Sequence, residues 1–122
     1  MANTNTVRGE VEFTLEGEDG SASTYTLRPT FANIQAIEAG TGKGMLALAA
    51  ELSQMGMPLS TMALILSAAT RNGKEQPLTV RQAGDLIADH GIEPVVKPLS
   101  DFLMRSFQGA KRETLTRDEG GN

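Results

Sequence analysis

Residues 7–15 alternate with a period of two, and no feature of this chain limits its fold more. Val7, Gly9, Val11, Phe13 and Leu15 fall on one face, and Arg8, Glu10, Glu12 and Thr14 fall on the other. That is the pattern of a half-buried strand. Gly17-Glu-Asp-Gly20 supplies turn chemistry, after which Ser23, Tyr25 and Leu27 alternate with Thr24, Thr26 and Arg28 to complete a β-hairpin. Pro29 ends the second strand. A two-stranded ribbon alone is marginal in water, so its apolar face must lie on something. The remaining sequence offers helices for that purpose. The expected fold class is therefore α+β, mainly α: an N-terminal β-hairpin packed on a bundle of four to five short helices.

Thr30 is placed to cap the first helix, in which Phe31, Ile34, Ala36 and Ile37 recur at helical spacing up to Gly40. A second helix is predicted from about Met45 to Met55, with Met45, Leu48, Ala49, Leu52 and Met55 in one stripe. Gly56-Met-Pro58 breaks it. Ser60 is placed to cap a third helix whose face of Met62, Ile65, Leu66 and Ala69 is widened by Leu64 and Ala68. Being apolar most of the way round, it should be the most enclosed. Arg71-Asn-Gly73 ends it. Thr79-Val-Arg-Gln82 matches a capping box opening a fourth helix, with Val80, Ala83, Leu86 and Ile87 inward and His90-Gly91 as its stop. A fifth helix carrying Leu99, Phe102, Leu103 and Phe107 begins near Pro94 or Pro98, because only an early helical position tolerates proline. Residues 1–6 are polar and expected to be loose, residues 7–108 form a single domain, and residues 109–122, charged and poor in apolar side chains, are expected to be disordered.

Composition narrows the chemistry. The chain has 122 residues, no cysteine and one histidine, which excludes disulfides, thiolate sites and multi-histidine metal sites. Its net charge of −4 supplies no concentrated basic field for nucleic acid. The N-terminus lacks signal-peptide features, and the most apolar run, Met62–Ala69, is far short of the ~20 residues a membrane span needs. A soluble intracellular protein without membrane contact is expected.

Glu38-Ala-Gly-Thr-Gly-Lys-Gly-Met45 invites a phosphate-loop reading. Aligning Gly42-Lys43 with the G-K pair of a Walker loop puts Ile37 where the first glycine belongs and Gly44 where a hydroxyl should hold magnesium. The segment ahead has helical rather than strand periodicity. A helix–helix corner, with Gly40 as C-cap and Gly42 and Gly44 flexible, is the simpler account. Asp85 and Asp89 suit a solvated helix face, and His90 a helix C-terminus interacting with the dipole. Serines 53, 60, 67, 100 and 106 lack a nucleophile-elbow context. No catalytic constellation emerges, so neither enzyme activity, cofactor nor metal is expected.

Beyond the initiator there are five methionines, and Met45, Met55, Met57 and Met62 lie within eighteen residues of one another. Methionine adapts to irregular apolar partners, which suits a protein that holds extended segments. It also fills small cores, and this chain has only four phenylalanines and no tryptophan. Most of the five are assigned to the core, with Met55 and Met57 beside the helix break as the candidates for exposure.

Arg8-Gly-Glu-Val11, Tyr25-Thr-Leu-Arg-Pro-Thr-Phe31, Ile34-Gln-Ala-Ile-Glu38 and the glycine-rich loop after them resemble the opening of a phage-tail family. It is found in gene transfer agents and related long-tailed phages of alphaproteobacteria, sometimes labelled a tail tube protein and better understood as a tail assembly chaperone. The resemblance covers about residues 7–107. It rests most on the hairpin and first helix, through Arg8, Gly9, Leu27, Pro29, Thr30, Phe31, Glu38 and Gly40, and on pattern alone thereafter. It implies a non-catalytic protein of the bacterial host cytoplasm, absent from the mature particle. Such a protein binds the tape measure protein, keeps it soluble, and yields it to tail tube protein. A homo-oligomer is compatible with this role, and a structural tail component, tube or terminator subunit, is the alternative. In the implied arrangement Pro29 fixes the exit from the strand, Thr30 caps the helix, and Phe31 pins the hairpin to the bundle. Arg28 either pairs with acids near Glu38 or meets a partner. Met45, Met55, Met57 and Arg28 form the expected partner-binding set.

Overall fold

A computed structural model describes residues 9–108. The order of elements is β1 (Val11–Glu16), β2 (Ala22–Leu27), α1 (Phe31–Thr41), α2 (Met45–Ser53), α3 (Leu59–Ala69), α4 (Val80–His90) and α5 (Glu93–Gln108). The α+β, mainly α, class is as expected. Residues 1–8 and 109–122, on which the expectations of loose ends and the Arg8 signature fall, lie outside the described residues.

β1 and β2 pair antiparallel, with Val11 opposite Leu27, Phe13 opposite Tyr25 and Leu15 opposite Ser23. This register puts the apolar positions of both strands on one face, as the period of two requires. The Phe13 and Tyr25 rings stand 5.6 Å apart between centroids. On the other face the Thr14 and Thr24 hydroxyls meet at 2.9 Å. The first strand begins at Val11, later than the alternation suggests. Gly9 has φ 83, a left-handed conformation that a strand cannot run through. At the turn, the Asp19 carboxylate accepts from the Ser21 hydroxyl at 2.7 Å and its backbone N–H at 3.0 Å. These bonds hold the Asp19 carboxyl below its ordinary range.

The hairpin meets the helices through β1 on α5 and β2 on α3, with Val11 and Leu27 entering the common core. Phe31 does not pin it. That ring is 75% exposed, because α1 turns a different side inward. Asn33 and Ile37 are the fully buried residues of α1. The Asn33 amide nitrogen donates to the carbonyls of Arg28 at 2.9 Å, Arg71 at 3.0 Å and Ala69 at 3.3 Å, while Asn72 donates to its oxygen at 2.7 Å. Two N–H hydrogens shared among three carbonyls make this side chain the rivet between strand exit, α1 and the end of α3. Thr30 caps α1 as expected, its hydroxyl accepting from the Asn33 backbone N–H at 3.1 Å. Arg28 adds a backbone bond to the Ala69 carbonyl at 2.8 Å.

Other helix ends differ from expectation for local reasons. α1 continues through Gly40, where an added Cβ would come within 3.1 Å of Leu64 on α3, so this glycine permits close helix packing. The left-handed cap is Gly42 at φ 72, whose N–H bonds the Glu38 carbonyl at 2.8 Å. Pro58, not Ser60, is the N-cap of α3, and its carbonyl accepts from Met62 at 3.1 Å. The Thr79–Gln82 capping box forms in full. Val80 nonetheless points to solvent, Leu86 is half-buried, and Ala83 and Ile87 carry the inward face of α4. α5 admits both prolines. Pro94 sits in the first turn, and Pro98 leaves only the exposed Pro94 carbonyl without its helical partner. Phe107 is exposed near its end.

α3 is the most enclosed helix, with Met62, Ala63 and all of Ile65–Ala69 buried between α1 and α4. α5 supplies Val95, Leu99, Phe102 and Leu103 and backs onto α2 and β1. None of the described helices is long and apolar enough to cross a membrane.

Candidate partner-binding surface

α2 has little but apolar side chains on either side. Met45, Leu48 and Leu52 face inward, with Ala49 half-buried, and the helix packs on α5. The opposite side shows Leu46, 67% exposed, with Ala47, Ala50 and Ser53 exposed beside it. The one charged residue of this helix, Glu51, is ion-paired to Lys43. The outward face of α2 is thus uncharged.

Both ends of α2 are set by its neighbours in sequence. Gly44, the N-cap, has no side chain to offer, and the Glu38 carboxylate accepts from the Met45 N–H at 3.1 Å instead. A carboxylate at the positive end of a helix is favourable. Lys43 and the first amide of α2 therefore already have protein partners, and the segment ahead is a helix. GTGKG is a corner between helices rather than a phosphate cradle.

At the other end, Gly56 N–H bonds the Glu51 carbonyl at 2.8 Å and Met55 N–H bonds the Leu52 carbonyl at 3.0 Å. This pair of bonds is a Schellman closure, whose left-handed position normally takes glycine. Here it is Met55, at φ 59 and 68% exposed. The closure turns the chain so that Met57 re-enters the core. Met57, expected at the surface, is buried, and so is Met45. Of the three methionines in the expected partner-binding set, Met55 alone offers surface.

Arg28 is an internal strut. Its Nε lies 3.3 Å from Glu10 Oε2 and its Nη2 lies 2.7 Å from Glu75 Oε1, with the side chain 12% exposed. It pairs with neither Glu38 nor any acid near it. A Cβ on Gly73 would lie 2.0 Å from the guanidinium carbon, so the arginine tip occupies the space a side chain there would need. Backbone hydrogen bonding at Glu75, then the Arg28 guanidinium, hold the Glu75 carboxyl below its usual range against the effect of burial. The hollow here, about 660 Å³, is lined by Glu10, Glu12, Thr26, Arg28, Lys74 and Glu75. Asp85 and Asp89 are exposed on α4, and among the described residues no three His, Asp or Glu side chains converge to hold a metal ion.

Of the signature residues, Leu27 is buried, Pro29 half-buried, Thr30 and Glu38 serve as caps, Gly9 takes a left-handed conformation, and Gly40 makes room for Leu64. Sequence reasoning missed Asn33. Its signal was present: it stands four residues before Ile37, on the line that proves to be buried. Compared with known proteins, the chain matches no family model, no curated protein and no solved structure.

Proposed function

We propose that this protein is a non-catalytic tail assembly chaperone that holds an apolar helical segment of the tape measure protein against the outward face of α2. The observation that carries this is Met55. A methionine kept exposed, in a left-handed position where glycine would be less strained, costs stability and contributes nothing to the core. The helix that ends just before it carries the uncharged outward face led by Leu46. Flexible, unbranched side chains of this kind accommodate many apolar sequences along one extended partner. Modest affinity at each contact suits a coat that must give way, since many copies on one chain supply the avidity. The resemblance of about residues 7–107 to tail assembly chaperones, most specific in the hairpin and first helix, suggests the partner's identity. The expected place of action is the host cytoplasm before the particle is complete.

Co-expression is the test. The full chain should raise the soluble yield of the tape measure protein, and Leu46→Glu with Met55→Glu should abolish the gain while leaving the chaperone folded. An unchanged yield with wild-type chain counts against the proposal. Recovery of this chain from purified particles at tube stoichiometry would favour a structural subunit. The described sheet has only two strands, too little to close a ring by strand pairing.

A further inference from the structure

The root of the hairpin is tied to the helices more than once. Arg28 N–H bonds the Ala69 carbonyl, and Arg105 Nη1 donates to the Glu10 carbonyl at 3.1 Å. The turn end is fastened differently. Among the described residues, the one hydrogen bond joining residues 12–25 to a helix is made by His90. Its Nε2 lies 2.8 Å from the Glu16 carbonyl oxygen at the end of β1, and its Nδ1 lies 3.1 Å from the Leu86 carbonyl oxygen one turn back in α4.

Both partners are carbonyl oxygens, which only accept. A neutral imidazole has one N–H and can satisfy one of them, while turning a lone pair toward the other. The imidazolium donates to both. We propose that protonated His90 is a clasp joining the turn end of the hairpin to the C-terminus of α4, and that its deprotonation near neutral pH releases the turn end. The root ties do not involve His90, so the hairpin would hinge rather than detach.

The charged surroundings favour the cation. Asp89 stands next to His90 on α4, Glu16, Glu18 and Asp19 lie at the hairpin end, and Glu93 opens α5. No lysine or arginine occurs in residues 15–20 or 85–93, and the nearest on α5, Lys97, is paired with Asp101 at 3.5 Å. The imidazole is raised above its ordinary 6.5, first by the Glu16 carbonyl and then by the Leu86 carbonyl, with burial opposing them and the Asp89 charge a smaller addition.

His90 is the single histidine of the chain, so its ring resonances are unambiguous by NMR. In the full chain titrated over roughly pH 5.5 to 8.5, a window set by imidazole ionisation, the ring should titrate with a midpoint above 6.5. The amides of Leu15, Glu16 and Gly17 should shift with that same midpoint and exchange faster with solvent above it. Those of Val11 and Leu27 at the root should not. His90→Gln, which cannot ionise, should remove the transition from the turn end. A ring midpoint at or below 6.5, turn-end amides that ignore the ring, or the same transition in His90→Gln would each overturn the clasp.

Discussion

Asn33 shows how one polar side chain can organise an apolar fold. Its burial is tolerable because every polar atom of the amide has a partner. Asn33→Ala leaves the Arg28 and Arg71 carbonyls without that donor, whereas the Ala69 carbonyl keeps the Arg28 N–H. Two orphaned acceptors at about 1–3 kcal/mol each predict a loss of about 3 kcal/mol, read as a lower urea midpoint. Gly73 offers a test of a different kind. Gly73→Ala forces the Arg28 guanidinium off the backbone and away from Glu10 and Glu75, so it should destabilise the wild type. In an Arg28→Ala background the same change should cost markedly less. Additive effects in that double-mutant cycle would show that the two residues do not oppose each other.

Among the elements, α2 differs from the rest. It packs on α5 alone to any extent, is bracketed by left-handed residues at Gly42 and Met55, and is apolar on both sides. On the proposed function, its inward face serves folding and its outward face binding. Met55→Gly should relieve the left-handed strain and raise stability by up to about 1 kcal/mol, because glycine suits the Schellman position. The same change should weaken solubilisation of the tape measure protein. Leu46→Glu should leave stability within about 0.5 kcal/mol, as surface substitutions do, while reducing partner binding. Equal solubilisation by both variants would separate α2 from the binding role without touching its place in the fold.

The whole molecule should be most stable at mildly acidic pH. Asp19 and Glu75 have lowered carboxyl pKa values, so their contribution is present above their ordinary 3.8 and 4.5 and disappears as pH falls through the lowered values. His90 is raised, so its contribution is complete below 6.5 and disappears as pH climbs through the folded value. Urea midpoints should therefore form a plateau between 4.5 and 6.5 and decline on both sides. His90→Gln should flatten the alkaline decline and leave the acid one. A midpoint still falling equally in His90→Gln would assign the alkaline loss to other groups.

Features that depend on neighbouring residues were legible without coordinates. The period-two strands, the Thr30 and Thr79 caps, the breaks at Gly56-Met-Pro58 and Gly91 and the wide apolar surface of α3 follow from local sterics and backbone hydrogen bonding. What periodicity lacks is an origin. It marks Phe31, Ile34 and Ile37 as recurring, yet the buried line is Asn33 and Ile37, whose centre lies about 140° round the helix from Phe31. That rotation was decided by three carbonyls from the strand exit and the α3 terminus, which only the folded chain brings within reach of one amide. Tertiary structure likewise sent Met57 inward, gave Arg28 to Glu10 and Glu75, and set His90 against Glu16, a residue 74 positions away. A sequence carries its own caps and periods, but the choice among equally apolar faces belongs to whichever polar partners arrive from elsewhere in the chain.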